Sequence, residues 1–177
     1  VNGGPYNGET IRVYCAGTTL TTAIFVGDVV KYNGAGSSDG YPEVTLAAAT
    51  DAPFGVITGI EAIPTNLEAN NYRPASTTAY MRMAPVDGTK FKIRMNGSGT
   101  SNEALIGSTT IYVVAAGSTV TGLSGILLSA TDAGTSVADE VRIIGMVDRA
   151  DNDISIADPE AIVMFNASQV ALGAAGV

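Results

Sequence analysis

A close group of carboxylates stands in the run Asp148-Arg149-Ala150-Asp151-Asn152-Asp153. Carboxylates this near one another in a loop offer the oxygen ligands that calcium prefers. Asp148, Asp151 and Asp153 are therefore a candidate metal site. The run lacks the glycine and the distal glutamate that complete an EF-hand loop. The favoured reading is a solvated turn between two strands, with Arg149 offsetting part of the charge, and no bound metal is expected. An acidic chain also offers carboxylate pairs for glycoside hydrolysis. Sugar sites present aromatic platforms, however, and this chain has no Trp. Tyr41, Tyr72 and Tyr80 read as packing or interface residues.

Other chemistry is excluded by residue type. The chain has no His, which removes the commonest general base, the Ser-His and Cys-His nucleophile pairs and imidazole metal ligands. With a single cysteine, neither an intramolecular disulfide nor the usual zinc sites can be built. In Ile11-Arg12-Val13-Tyr14-Cys15 that cysteine falls on the apolar side of an alternating strand, so Cys15 reads as a buried, inert thiol. The glycine-containing loops at 33–40 and 96–102 lack the lysine or helix onset that phosphate binding needs. No catalytic residue and no cofactor is expected.

The 177 residues carry Lys+Arg 9 against Asp+Glu 17, a formal charge of -8. Such a surface repels phosphate, so neither nucleic acid nor an anionic membrane is an expected partner; a more basic protein is. No segment approaches the roughly 20 apolar residues that span a bilayer. Val1-Asn2-Gly3-Gly4-Pro5 has neither a basic region nor an apolar run, and does not read as a signal peptide.

These residues must be positioned by strands. Glycines number 21, Thr and Ser are frequent, and large aromatics are few, a composition of short strands and many turns. Lys90 to Met95 alternates most clearly, with Phe91, Ile93 and Met95 facing one way and Lys90, Lys92 and Arg94 the other. Residues 11–15, 43–47 and 80–83 alternate too, with Val44 and Leu46 inward. Phe25 to Tyr32 reads as a strand pair or a strand broken at Gly27, and Asn33 to Gly40 as a loop. The glycines of Phe54 to Ile60 imply a bulge or close backbone approach. Residues 61–78 read as a long loop with one helical turn. Further strands are expected at 111–114, 125–128, 141–144 and 161–165, the last of them central. No window has helical periodicity. The expected fold is all-β, a barrel or sandwich of about ten short antiparallel strands, with an extended N-terminal arm.

The expected divisions are an arm with the first strand over 1–23, a β-domain over 24–166 and a tail over 167–177. Ala49-Thr50-Asp51-Ala52 and Ala130-Thr131-Asp132-Ala133 each precede a Gly-containing apolar strand. They hint at two related β units, about 24–78 and 79–166, although chance in an Ala/Thr-rich chain produces such a match.

Val26-Gly27-Asp28-Val29-Val30, then Ala47 to Ala52 leading into Phe54-Gly55-Val56-Ile57, then Gly145-Met146-Val147-Asp148 and the closing strand Ile162 to Asn166, stand in an order that resembles tailed-phage capsid decoration (cement) proteins. The resemblance covers roughly residues 24–166. It implies a small acidic β-protein on the capsid exterior of a virion, with the major capsid protein as partner, often clustered at symmetry axes; a homotrimer or other symmetric cluster is expected. It implies no catalytic residues. The arm then becomes a candidate clamp. Asn2, Pro5 and Asn7 give reach, Tyr6 an anchor, and Arg12 a cation to pair with a carboxylate across the contact. The competing classes are another virion component (tail, fibre or minor capsid domain) and a secreted β-sandwich binding module.

Overall fold

The first strand, Ile11–Cys15 (β1), buries Val13 and Cys15 while Arg12 and Tyr14 lie on its other face. The same period of two recurs along the chain. The computed structural model describes residues 8–64, 67, 71–96, 102–136, 139–155, 158–166 and 168–169. After β1 come β2 (Ile24–Phe25), β3 (Val29–Gly36), β4 (Pro42–Leu46), β5 (Gly55–Ile60), β6 (Tyr72–Arg73) and β7 (Ala79–Pro85). There follow β8 (Lys90–Asn96), β9 (Thr109–Thr110), β10 (Tyr112–Val113), β11 (Leu127–Ser129), β12 (Val141–Met146) and β13 (Glu160–Phe165). The protein is all-β; among the described residues one 3-10 turn, Asn102–Leu105, is the only helical element.

β1, β4, β3, β5 and β7 close into a five-stranded barrel, with the small β2–β6 ladder beside it. The remaining strands form a sheet in the order β10-β11-β8-β13-β12-β9. Its two edge strands are consecutive in the chain, with Ile111 alone between them. Residues 109–113 thus pair with β12 at one end and with β11 at the other, and the sheet rolls closed on itself. Counting 109–113 as one strand, the second barrel repeats the topology of the first. In each, the first strand pairs parallel with the third (β1–β4, β8–β11), and every other contact is antiparallel in the same order.

The register repeats as well. Arg12 lies opposite Arg82 as Lys92 lies opposite Ile162, and Tyr32 lies opposite Val44 as Tyr112 lies opposite Leu128. The ladder β5–β7 slips between Ile57 and Gly59, and β12–β13 slips at the corresponding Ile143 and Gly145. Each slip is a bulge that adds one residue and bends the strand. Gly27 and Gly107 occupy matching turns with φ of 99° and 90°, conformations costly for any residue with a Cβ. Gly27 N–H donates to Ile57 O and Gly107 N–H to Ile143 O, both at 2.8 Å. Asp28 N–H reaches Phe25 O at 3.1 Å, and Ser108 N–H reaches Leu105 O at 3.0 Å.

The interiors match position by position. Val13, Cys15, Val30, Val44, Ile57, Met81 and Met83 fill the first barrel. Their counterparts are Ile93, Met95, Thr110, Leu128, Ile143, Ala161 and Val163. Large and small residues trade places, Met81 for Ala161 and Cys15 for Met95, which keeps the filled volume. Buried Thr110 satisfies its hydroxyl on Ser129 O at 2.6 Å. The barrels share a core, since Val29 and Ala47 of the first belong to the cluster around Met95 and Tyr112 of the second, and Tyr112 donates its hydroxyl to Ala48 O at 2.6 Å. The β10–β11 connection reaches back to the first barrel. Val26 N–H bonds Gly122 O at 2.9 Å, and Ser124 N–H bonds Val26 O at 2.8 Å. These contacts lock the two barrels into one body.

Several expectations change. Asn33 to Gly36 belong to β3 rather than to a loop, because the ladder to β4 slips and resumes at Gly36–Pro42. In 61–78 the ordered element is β6, paired to β2, and no described residue there is helical; residues 65, 66 and 68–70 lie outside the description. The strands are not all antiparallel, since each barrel closes through a parallel pair. Strand pairing bounds the two units at Ile11–Pro85 and Lys90–Phe165, because β1, grouped with the arm over 1–23, is the wall that closes the first barrel. Residues 97–101 of the loop at 96–102 and 170–177 of the tail lie outside the described residues.

Candidate interaction surface

The outward positions of β1 and β7 meet in register, Arg12 against Arg82 and Tyr14 against Tyr80. Two arginines directly opposite would repel. Glu61, the residue after β5, lies between them. It accepts Arg12 Nε at 2.9 Å, Arg12 Nη2 at 2.6 Å and Arg82 Nε at 3.1 Å. The Arg12 guanidinium, 4.7 Å from the Tyr41 ring centroid and 4.2 Å from that of Tyr80, makes a cation–π contact with each. Tyr14 packs on Tyr80 at 5.3 Å and Tyr41 meets Tyr80 edge-on at 5.7 Å. Tyr80 donates its hydroxyl to Asp39 Oδ2 at 2.5 Å. The Arg12 hydrogen bond holds the Glu61 carboxyl below its usual range, and Glu61 raises Arg12 in return. Donation to Asp39 pushes the Tyr80 phenol up. The result is a half-exposed, charge-balanced aromatic surface fixed before any partner arrives. Tyr and Arg in such a setting are the side chains that dominate protein interfaces.

Arg12 is the one clamp residue that the structure describes, and its carboxylate partner is on its own chain. Asn2, Pro5, Tyr6 and Asn7 lie outside the described residues. Asp148, Asp151 and Asp153 are not assembled as ligands; among the described residues no group of three or more His, Cys, Asp or Glu is placed to hold a metal ion. Their segment is a turn organised by Asn152. Its Nδ2 donates to Val147 O at 2.8 Å and Glu160 O at 3.0 Å, and its Oδ1 accepts Glu160 N–H at 2.7 Å. Asp151 is taken by Arg149 at 2.5 Å, and Asp153 by the backbone and hydroxyl of Ser155 at 2.9 and 2.6 Å. Tyr72 stacks on Phe25, 5.2 Å between centroids.

Sequence reasoning missed Glu61, Asp39, Tyr14 and Arg82. The alternation at 11–15 places Arg12 and Tyr14 on one face, but nothing local tells that Glu61, 49 residues away, completes it. It also missed two buried polar anchors. Arg73 is wholly buried, its guanidinium surrounded by backbone carbonyls. Asp28 accepts Phe25 N–H at 2.8 Å and Ser124 Oγ–H at 2.5 Å, tying the β10–β11 connection to the first barrel. Burial pushes the Asp28 carboxyl up against the pull of these two donors.

Ser124 donates its hydroxyl to Asp28, as Ser129 does to Asp132 and Ser155 to Asp153, and the chain has no imidazole to serve as base beside any of them. Cys15 is fully buried, and burial pushes its thiol up to about 11, where it is not a thiolate at neutral pH. A cleft of about 410 Å³ opens where β8 faces residues 123–126, lined by apolar side chains such as Phe91, Ile93 and Ile126. Comparison of the chain with protein-family models, with curated proteins and with solved structures found no match to any of them.

Proposed function

We propose that the chain is a virion structural protein that binds the outside of a phage capsid and stabilises it by bridging neighbouring capsid subunits, without catalytic activity or cofactor. The observation that carries this reading is the pair of barrels of one topology joined through a shared core. A capsid presents related surfaces side by side. A rigid body made of two related units suits a seam between two of them. Bound across the seam, it adds contacts that must break before the shell opens, and mass action then favours the closed lattice. The Arg12–Tyr41–Tyr80 surface offers a contact that needs little ordering on binding, which lowers the entropic cost of association. Residues 1–7, with Tyr6 as anchor, extend the grip to a neighbouring subunit, and a homotrimer or symmetric cluster matches the lattice. The test is co-sedimentation with emptied, expanded tailed-phage capsids, followed by the temperature at which the decorated shells rupture. Saturable binding with a higher rupture temperature is expected; protein that stays in the supernatant, or binds with no gain in rupture temperature, refutes the reading.

A further inference from the structure

The shared register relates the barrels residue by residue, and so shows where their outer faces part. Arg12 corresponds to Lys92, Tyr14 to Arg94, Tyr80 to Glu160 and Arg82 to Ile162. Glu61 corresponds to Val147, since their backbone N–H groups donate to Tyr80 O and Glu160 O respectively, each at 3.0 Å. In the first barrel Glu61 neutralises Arg12 and Arg82. In the second, the cation remains as Lys92 and the carboxylate has become Val147.

The outcome is a basic face on an acidic protein, on which the Glu160 carboxylate is paired with Arg149 at 3.4 Å. Lys90 and Arg142 flank Met164 from either side across β8–β13–β12, and Lys92 lies beside Ile162 in the next row. Ile144, on the bulge, adds an apolar side chain that is 38% exposed. Lys90, Lys92 and Arg142 are exposed, and among the described residues none of them has an ion-pair partner. Arg94 is paired with Asp158 at 3.0 Å. Asp151, held below its usual range first by Arg149 and only weakly by Lys92, is already spent on Arg149. The position matching Arg142 in the first barrel is Val56, which packs against the second core. The face that the first barrel covers is thus open in the second, and it carries charge.

We infer that this face of the second barrel is a docking surface for a carboxylate-rich segment of a partner protein. Lys90 and Lys92 stand two residues apart on one strand face, about 6.6 Å, the spacing of alternate side chains in an extended acidic segment laid along them. Met164, Ile162 and Ile144 supply an apolar strip between the cations, where a partner side chain sheds water and the charges act at lower dielectric. Nucleic acid is the poorer occupant, because a net charge of -8 repels a polyanion while three free cations neutralise few phosphates. The inference rests on the charges and the register, and stands whether or not the partner is a capsid.

The test uses the full chain and fluorescently labelled poly-L-glutamate as probe, followed by anisotropy at 50 mM and 200 mM salt, with duplex DNA as a second probe. The native protein is expected to bind poly-L-glutamate, more weakly at the higher salt. The variant Lys90→Glu, Lys92→Glu, Arg142→Glu is expected to bind at least about tenfold more weakly with unchanged melting. Lys90→Gln, Lys92→Gln, Arg142→Gln, which adds no repulsion, should show the same loss to a smaller degree. Lys31→Gln, whose cation is paired with Asp51 at 2.8 Å on the first barrel, should bind as the native chain does. No binding of poly-L-glutamate by the native protein, undiminished binding by both triple variants, or preference for duplex DNA would each overturn the inference.

Discussion

Replacing Arg73 by Met removes a buried charge and leaves its acceptors behind. The guanidinium donates from Nε to Thr77 O at 2.6 Å, from Nη1 to Thr22 O at 2.8 Å, and from Nη2 to Ala16 O at 3.2 Å and Leu20 O at 3.0 Å. Those carbonyls belong to the connections that follow β1 and β6, so one side chain holds two loops against the β2–β6 ladder. Arg73 forms no ion pair among the described residues, and burial lowers its pKa from the ordinary value. Hydrogen bonds to a charged group contribute about 1.5–3 kcal/mol each, so four make roughly 6–12 kcal/mol. Desolvating the guanidinium costs several kcal/mol of that. Met fills the volume but satisfies none of the carbonyls, and the expected net loss is about 3–5 kcal/mol. That is a large share of the roughly 5–15 kcal/mol that folds a domain. Arg73→Lys, with three donors on a point charge, should fall between. Urea unfolding at pH 7 followed by circular dichroism measures both. Arg73→Met within about 1 kcal/mol of the native protein would mean that water replaces the guanidinium, and that the loops do not depend on it.

Glu140 is 5% exposed, its Oε2 has no hydrogen-bond partner among the described residues, and burial raises its pKa above the ordinary 4.5. A raised carboxyl contributes stability below the unfolded-state pKa and loses it as pH rises through the folded-state value, so Glu140→Gln should stabilise by about 1 kcal/mol at pH 7 and by much less at pH 4 in urea titrations. Gly107→Ala meets no atom within 4 Å and suffers only the strain of φ 90°, about 1–2 kcal/mol. Gly27→Ala adds a 3.2 Å approach to Ser124 Cβ and should cost about 1 kcal/mol more; equal losses in thermal melts would contradict the geometry at Ser124. Removing residues 1–7 should leave the melting temperature unchanged and weaken capsid binding, and equal binding would move the grip onto the barrels.

The strands with strict alternation were legible. Phe91, Ile93 and Met95 face inward and Lys90, Lys92 and Arg94 outward, because one residue of slip would bury three charges. Cys15 is buried as its strand position implied, and the glycines of 55–60 mark a real bulge. The duplication was only hinted at. Both Ala-Thr-Asp-Ala segments fall between the third and fourth strands of their barrels, yet the spacing of 80 that joins Gly27 to Gly107 and Tyr32 to Tyr112 is blurred by exchanges such as Val30 for Thr110. Equal backbones tolerate such exchanges when volume and polarity are compensated, so register survives where identity does not. The parallel pairs were not legible, since period two fixes which face is buried and says nothing of strand neighbours. Arg12 could be placed on the outer face, but not its partner Glu61, which arrives from a strand across the barrel. For Asp148, Asp151 and Asp153 the spacing left a metal site and a solvated turn both open, because spacing alone does not show which backbone groups and cations claim carboxylates first.

The bridging role is tested most directly by cryo-electron microscopy of emptied, expanded phage capsids incubated with the protein. The expected map shows one two-barrel body across each seam, with each of the two barrels in contact with a different capsid subunit. Density confined to the footprint of a single subunit, or bare capsids at saturating protein, would contradict it.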